Sequence, residues 1–87
     1  MATVVIYTVD WCGFCRRAER LLASKGVEVD NRDVTDDPET RNWLVEATGR
    51  TTVPQVFING VAVGGSDDLA ALDRRGELDR LLAAPSI

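Results

Sequence analysis

The sequence predicts an α/β fold, a mixed four-stranded sheet with helices on both faces, and three observations carry that expectation. A nearly continuous β-rich run, Thr3 to Thr8 (TVVIYT), reads as a central strand covered on both faces. Helical stripes follow it on either side of a second short strand pattern. Further on, two apolar runs flank Asn59-Gly60, a pair that tolerates the positive φ of a type I′ turn, so a hairpin is expected. The order is β-α-β-α-β-β-α. A right-handed crossover makes the first two strands parallel, and the hairpin adds an antiparallel pair.

Each element has a local reason. Phe14, Ala18, Leu21 and Leu22 fall at i, i+4, i+7 and i+8, one helical stripe, and Lys25-Gly26 supplies its stop. Val27 and Val29 alternate with acids, the pattern of the second strand. Asp37 is an N-cap, with Pro38 at the first helical position. Trp43, Leu44 and Ala47 form that helix's apolar face, and Gly49 ends it. The hairpin strands are Val56-Phe57-Ile58 and Val61-Ala62-Val63. Ser66-Asp67-Asp68 caps one last helical region, with Leu69 and Leu72 before Gly76 and Leu78, Leu81 and Leu82 after it. The tail from Ala83 to Ile87 is expected to fray.

Size and charge narrow the function. Eighty-seven residues suit one domain spanning 1–87. Hydrophobic residues at 45% and charged residues at 28% are ordinary globular values, so wholesale disorder is excluded. Ten basic against fourteen acidic residues leave a net charge of −4, the wrong sign for a nucleic-acid partner. The absence of histidine excludes a Ser–His or Cys–His catalytic pair and any zinc site that needs imidazole. The N-terminus has no signal-like stretch, and the longest apolar run, Val4 to Tyr7, is too short for a membrane. A cytoplasmic protein with no membrane partner is expected. A reducing compartment turns the two cysteines toward a redox or metal role rather than a structural disulfide.

Cys12-Gly13-Phe14-Cys15 lies between the first strand and the first helix. At a helix N-terminus, free backbone N–H groups and the positive end of the dipole favour a thiolate at Cys12 over a thiol. Cys15 falls three residues on, on the same face of the first turn. That placement allows attack by Cys12, a mixed disulfide, then resolution by Cys15. The alternatives are two inert buried thiols or a metal site. Tetrahedral zinc needs four ligands, however, and the chain offers two cysteines and no histidine. Arg16, Arg17 and Arg20 read mainly as solvated surface.

These residues resemble the glutaredoxin family, in its small bacterial dithiol branch. The likeness runs nearly end to end: Val5-Ile6-Tyr7-Thr8, the CxxC and its helix, Thr52 to Gly60 (TVPQVFING), and Gly64 to Leu69 (GGSDDL). The resemblance implies a thioredoxin-like fold, with Cys12 as nucleophile and Cys15 as resolving thiol. It implies glutathione as co-substrate, and disulfide or glutathionylated proteins as partners; a monomer is the default expectation, a dimer only if a cluster is bound. Read alone, Pro54 is a trans, strand-opening proline; the resemblance makes Val53-Pro54 a cis turn beside the active cysteine. It makes Thr52 line that turn, and the backbone of Val53 pair with the cysteine part of glutathione like an added strand. Arg41, by itself a solvated helix residue, then holds the glycine carboxylate. Gly65-Ser66-Asp67, by itself a helix cap, holds the γ-glutamyl end: amides at Ser66 and Asp67 for the carboxylate, the Asp67 side chain for the ammonium.

Two departures stand out. Gly13-Phe14 replaces the Pro-Tyr of most dithiol relatives, and Val9 stands where many have lysine, which removes one contact to the glycine carboxylate. Glutathione binding is therefore expected to persist with a weaker hold. The reading that follows is a glutathione-dependent thiol–disulfide oxidoreductase. One alternative is a carrier of a 2Fe–2S cluster, held by Cys12 of two chains and two glutathione thiols. The other is a thioredoxin-like reductant.

Overall fold

The structure, a computed structural model, describes residues 1–86. The elements are β1 (Val4–Thr8), α1 (Gly13–Ser24), β2 (Val29–Asp33), α2 (Pro38–Thr48), β3 (Gln55–Ile58), β4 (Val61–Gly64), α3 (Ser66–Arg74) and α4 (Glu77–Ala83). The sheet order is β2-β1-β3-β4, with β1 and β2 parallel and the other pairs antiparallel. This is the thioredoxin-like architecture. β1 is central and four of its five residues are buried, as a strand covered on both faces requires.

The two faces are unequal. On one, Val4, Ile6, Val56 and Ile58 of the sheet meet Ala18 and Leu22 of α1, Leu69 of α3, and Leu78 and Leu82 of α4. On the other, Tyr7, Val34 and Leu44 form a smaller cluster, with Val5, Val9 and Phe57 packed against it. Leu22, Leu69 and Leu78 are fully buried, and each contributes about 2 kcal/mol by removal from water.

Several local expectations hold. Asp37 caps α2, its carboxylate accepting from the Thr40 N–H at 3.1 Å and the Thr40 hydroxyl at 2.6 Å, with Pro38 directly after it. Gly49 ends α2 at φ 73°, and Asn59-Gly60 turns with φ of 50° and 78°.

Others need correction. The last helical region is two helices, because Gly76 takes φ 74°, a left-handed conformation that ends α3 and starts α4. The cap of α3 is Gly65 rather than Ser66, since Asp68 reaches back to the Gly65 N–H at 2.9 Å. β2 begins at Val29, leaving Val27 outside the strand but against the larger core. Phe14 points outward, and the buried stripe of α1 is Cys15, Ala18 and Leu22. α2 buries only Leu44; Ala47 is exposed, and Trp43 lies half-exposed, stacked on Phe57 at 5.8 Å and tilted against Tyr7 at 5.7 Å. Of the three, only Leu44 joins Tyr7 and Val34 in the smaller cluster. At the tail, the Pro85 carbonyl accepts from Asn59 Nδ2 at 2.9 Å, which ties that residue down; Ile87 lies outside the described residues. No helix among the described residues is long and apolar enough to cross a membrane.

Candidate active site

Cys12 is the N-cap of α1, with extended backbone, and its Sγ accepts from the Cys15 N–H at 3.1 Å. The helix amide is therefore aimed at the sulfur, the arrangement that favours negative charge there. Both cysteines are free thiols. Cys12 is partly exposed, whereas Cys15 is fully buried. Burial, and after it the hydrogen bond with Cys12, pushes the Cys15 thiol up to about 12. The neighbouring sulfurs thus differ in kind: one is partly open and accepts a helix N–H, the other is dry and keeps its proton.

The Val53–Pro54 peptide is cis, as the family resemblance implies and the residues alone did not. The Val53 carbonyl lies 3.9 Å from Cys12 Sγ. The turn is held from within: Gln55, buried in the first position of β3, donates from Nε2 to the Thr52 carbonyl at 3.0 Å.

One cleft of about 230 Å³ is lined by Thr52, Val53, Pro54, Gly65, Ser66 and Asp67, together with Phe14, Arg50 and Asp68. Six of the residues singled out in the sequence, 52–54 and 65–67, thus come together. Arg41 lies apart, in an adjoining cleft of about 150 Å³ that shares Arg50, Thr52 and Val53, with Arg41 Nη2 donating to the Thr51 carbonyl at 3.5 Å. Cys12 opens onto neither cleft but onto a groove with Asp10, Trp11, Gly13 and Arg16, and meets the first two through the Val53 carbonyl. Trp11 stands fully exposed on that rim with φ 59°, and Phe14 is half-exposed beneath the Arg17 guanidinium.

Two site residues escaped the sequence reading. Gln55 has an ordinary identity, and only its burial shows its work. Arg50 lines both clefts and pairs with Asp68 at 2.6 Å, 18 residues away, a contact with no local signal. The arrangement suits thiol–disulfide exchange: a partly exposed thiol at a helix N-terminus, a second thiol behind it, and a backbone edge beside them. Among the described residues there is no group of three or more Cys, Asp or Glu side chains placed to hold a metal ion.

Comparison with known proteins agrees. The glutaredoxin family model matches residues 4–63. The chain is 50% identical over 84 residues to a glutaredoxin of Pseudomonas aeruginosa, covering 97% of this chain and 100% of that one. It is 49% identical over 82 residues to glutaredoxin 3 of Escherichia coli, covering 94% and 99%. Among solved structures, a buckwheat glutaredoxin–glutathione complex superposes with a TM-score of 0.88 at 28% identity, over 93% of this chain and 76% of that one. The chain belongs to the glutaredoxin family and carries the family's thioredoxin-like fold, that of a thiol–disulfide oxidoreductase.

Proposed function

We propose that the protein is a glutathione-dependent oxidoreductase that reduces glutathione mixed disulfides and protein disulfides through Cys12 and Cys15. The observation that carries this reading is the cleft of Thr52, Val53, Pro54, Gly65, Ser66 and Asp67, joined to the nucleophile by the Val53 carbonyl. The buckwheat relative that holds glutathione has the same fold. Glutathione would run beside Val53 as an added strand. Its γ-glutamyl carboxylate would meet the Ser66 and Asp67 amides, and its ammonium the Asp67 carboxylate. Its glycine carboxylate would lie toward Arg41. Val9 offers no charge there; its side chain packs with the smaller apolar cluster.

In the first step the Cys12 thiolate attacks the glutathione sulfur of a mixed disulfide and expels the partner's thiolate, which takes a proton from solvent. A second glutathione then attacks and leaves as glutathione disulfide, restoring Cys12. In the dithiol route Cys15 loses its proton and attacks Cys12 Sγ, releasing glutathione and closing the Cys12–Cys15 disulfide. Consumption of the Cys12 thiolate removes its charge and its hydrogen bond, two of the causes that hold the Cys15 proton in place. A 2Fe–2S carrier would have to draw all but the Cys12 ligand from outside the chain, since Cys15 is fully buried.

The test is turnover of a small glutathione-exchangeable disulfide, with NADPH supplied either through glutathione and glutathione reductase or through thioredoxin reductase. Activity through glutathione is expected. Activity through thioredoxin reductase alone would replace this reading with a thioredoxin-like one.

A further inference from the structure

We propose that Arg50 is a positioning residue for the γ-glutamyl end of the substrate, acting through Asp68 to hold the Gly65 turn and to cancel that carboxylate's charge. The inference rests on the glutathione reading above. One oxygen of Asp68 carries two contacts: Arg50 Nη1 at 2.6 Å and the Gly65 N–H at 2.9 Å. It therefore joins the loop before β3 to the turn before α3. The turn is wedged on both sides. A Cβ on Gly64 would come within 2.6 Å of Asp68 Cγ, and one on Gly65 within 3.2 Å of the Pro54 carbonyl oxygen. The Ser66 and Asp67 amides are thus held at a set distance from the Val53–Pro54 wall.

Charge makes the pair matter more than its half-exposed position suggests. The anion expected at the Ser66 and Asp67 amides would lie one residue from two successive carboxylates, Asp67 and Asp68. Asp67 has work there, opposite an ammonium. Asp68 has none toward the ligand, and unpaired it would repel the incoming carboxylate. Arg50 holds Asp68 ionised below the usual carboxylate range while neutralising its field. Arg50, Thr52 and Val53 are the residues that line both clefts, so the guanidinium stands beside the substrate path.

The experiment measures single-turnover transfer to Cys12 from an S-glutathionylated peptide, and from the same peptide carrying cysteinylglycine, which lacks the γ-glutamyl group. The wild type should prefer the glutathionylated peptide. Arg50→Ala should lower its second-order rate constant about five-fold at low salt, with the saturating rate kept, and leave the cysteinylglycine peptide unchanged. Arg50→Lys should recover most of the loss. Adding Asp68→Asn to Arg50→Ala should also recover it, because the unpaired charge is gone while an acceptor for Gly65 remains. An Arg50→Ala protein that keeps the wild-type preference, or loses both substrates equally, overturns the inference alone. A wild type without preference overturns the glutathione reading and this inference with it.

Discussion

At the start of α1 the Cys15 N–H points at Cys12 Sγ, 3.1 Å away, so the helix spends its first-turn amide on an atom of its own cap. At the start of α3 the cap is Gly65, which has no side chain to offer, and Asp68 reaches back to the Gly65 N–H instead. Among the described residues, no side chain caps the Ser66 and Asp67 amides. Both N-termini favour an anion for the same reason. The first is turned on an atom of the chain itself, the Cys12 sulfur, while the second has amides free to meet an anion from outside. In the proposed function a single physical device would serve chemistry at one end of the site and recognition at the other.

The comparison breaks most completely at Cys12. Cys12→Ser keeps a good capping atom, so the fold should persist with a change of less than about 1 kcal/mol. Thiol transfer should fall by about a thousand-fold or more, since a hydroxyl is a far poorer nucleophile without a base. Single-turnover transfer from a glutathionylated peptide, beside a thermal melt, checks both halves; near-wild-type transfer would remove Cys12 as nucleophile.

The α3 end should break structurally instead. Gly64 has φ 110°, and a Cβ there would overlap the Asp68 carboxyl group. Gly64→Ala should cost about 2–3 kcal/mol, a melting temperature lower by about 10 °C. The rate of Cys12 alkylation should stay near wild type. An unchanged melt would mean that the turn relaxes freely.

Asp67→Asn sharpens the contrast more gently. With the ammonium's counter-charge gone, the KM for a glutathione mixed disulfide should rise about ten-fold, and turnover at saturation should hold. A fall in saturating turnover with KM unmoved would place Asp67 in the chemistry rather than in recognition.

The last contrast concerns Cys15 and pH. Its folded value is raised from 9.0 to about 12, first by burial and then by its hydrogen bond with Cys12. Between those limits the unfolded chain releases a proton that the folded chain keeps, so stability is lost as pH rises from about 9 toward 12. Urea midpoints at pH 8 and pH 10.5 should show this fall, and Cys15→Ala should lessen it. An identical slope in the variant would mean that Cys15 is not the group responsible.

Much of the fold, and the start of the candidate site, was legible because it is written locally. The CxxC at a helix start, Asp37-Pro38 and Asn59-Gly60 each act within a few residues, and each stands in the structure where the sequence places it. Reading went astray where two local answers competed. Ser66-Asp67-Asp68 looks like a cap, but Gly65 takes that place because the carboxylate of Asp68 finds the Gly65 amide. Leu69, Leu72, Leu78 and Leu82 suggest one helix, yet Gly76 divides it. Phe14 and Trp43 carry apolar side chains at helical spacing, but spacing does not say whether a partner surface lies opposite.

By itself, then, the sequence determined the order of the four strands and the first two helices, the hairpin, and the placing of Cys12 at a helix N-terminus. These depend on periodicity, turn chemistry and caps, which act over a turn or two. Only the tertiary structure decided that Cys15 is dry, that the Val53 carbonyl faces Cys12 across 41 residues, and that Arg50 meets Asp68 across 18. Burial and long-range pairing belong to the packed sheet and its two unequal faces. No residue carries them until β1 and β3 lie side by side and α3 closes over their end.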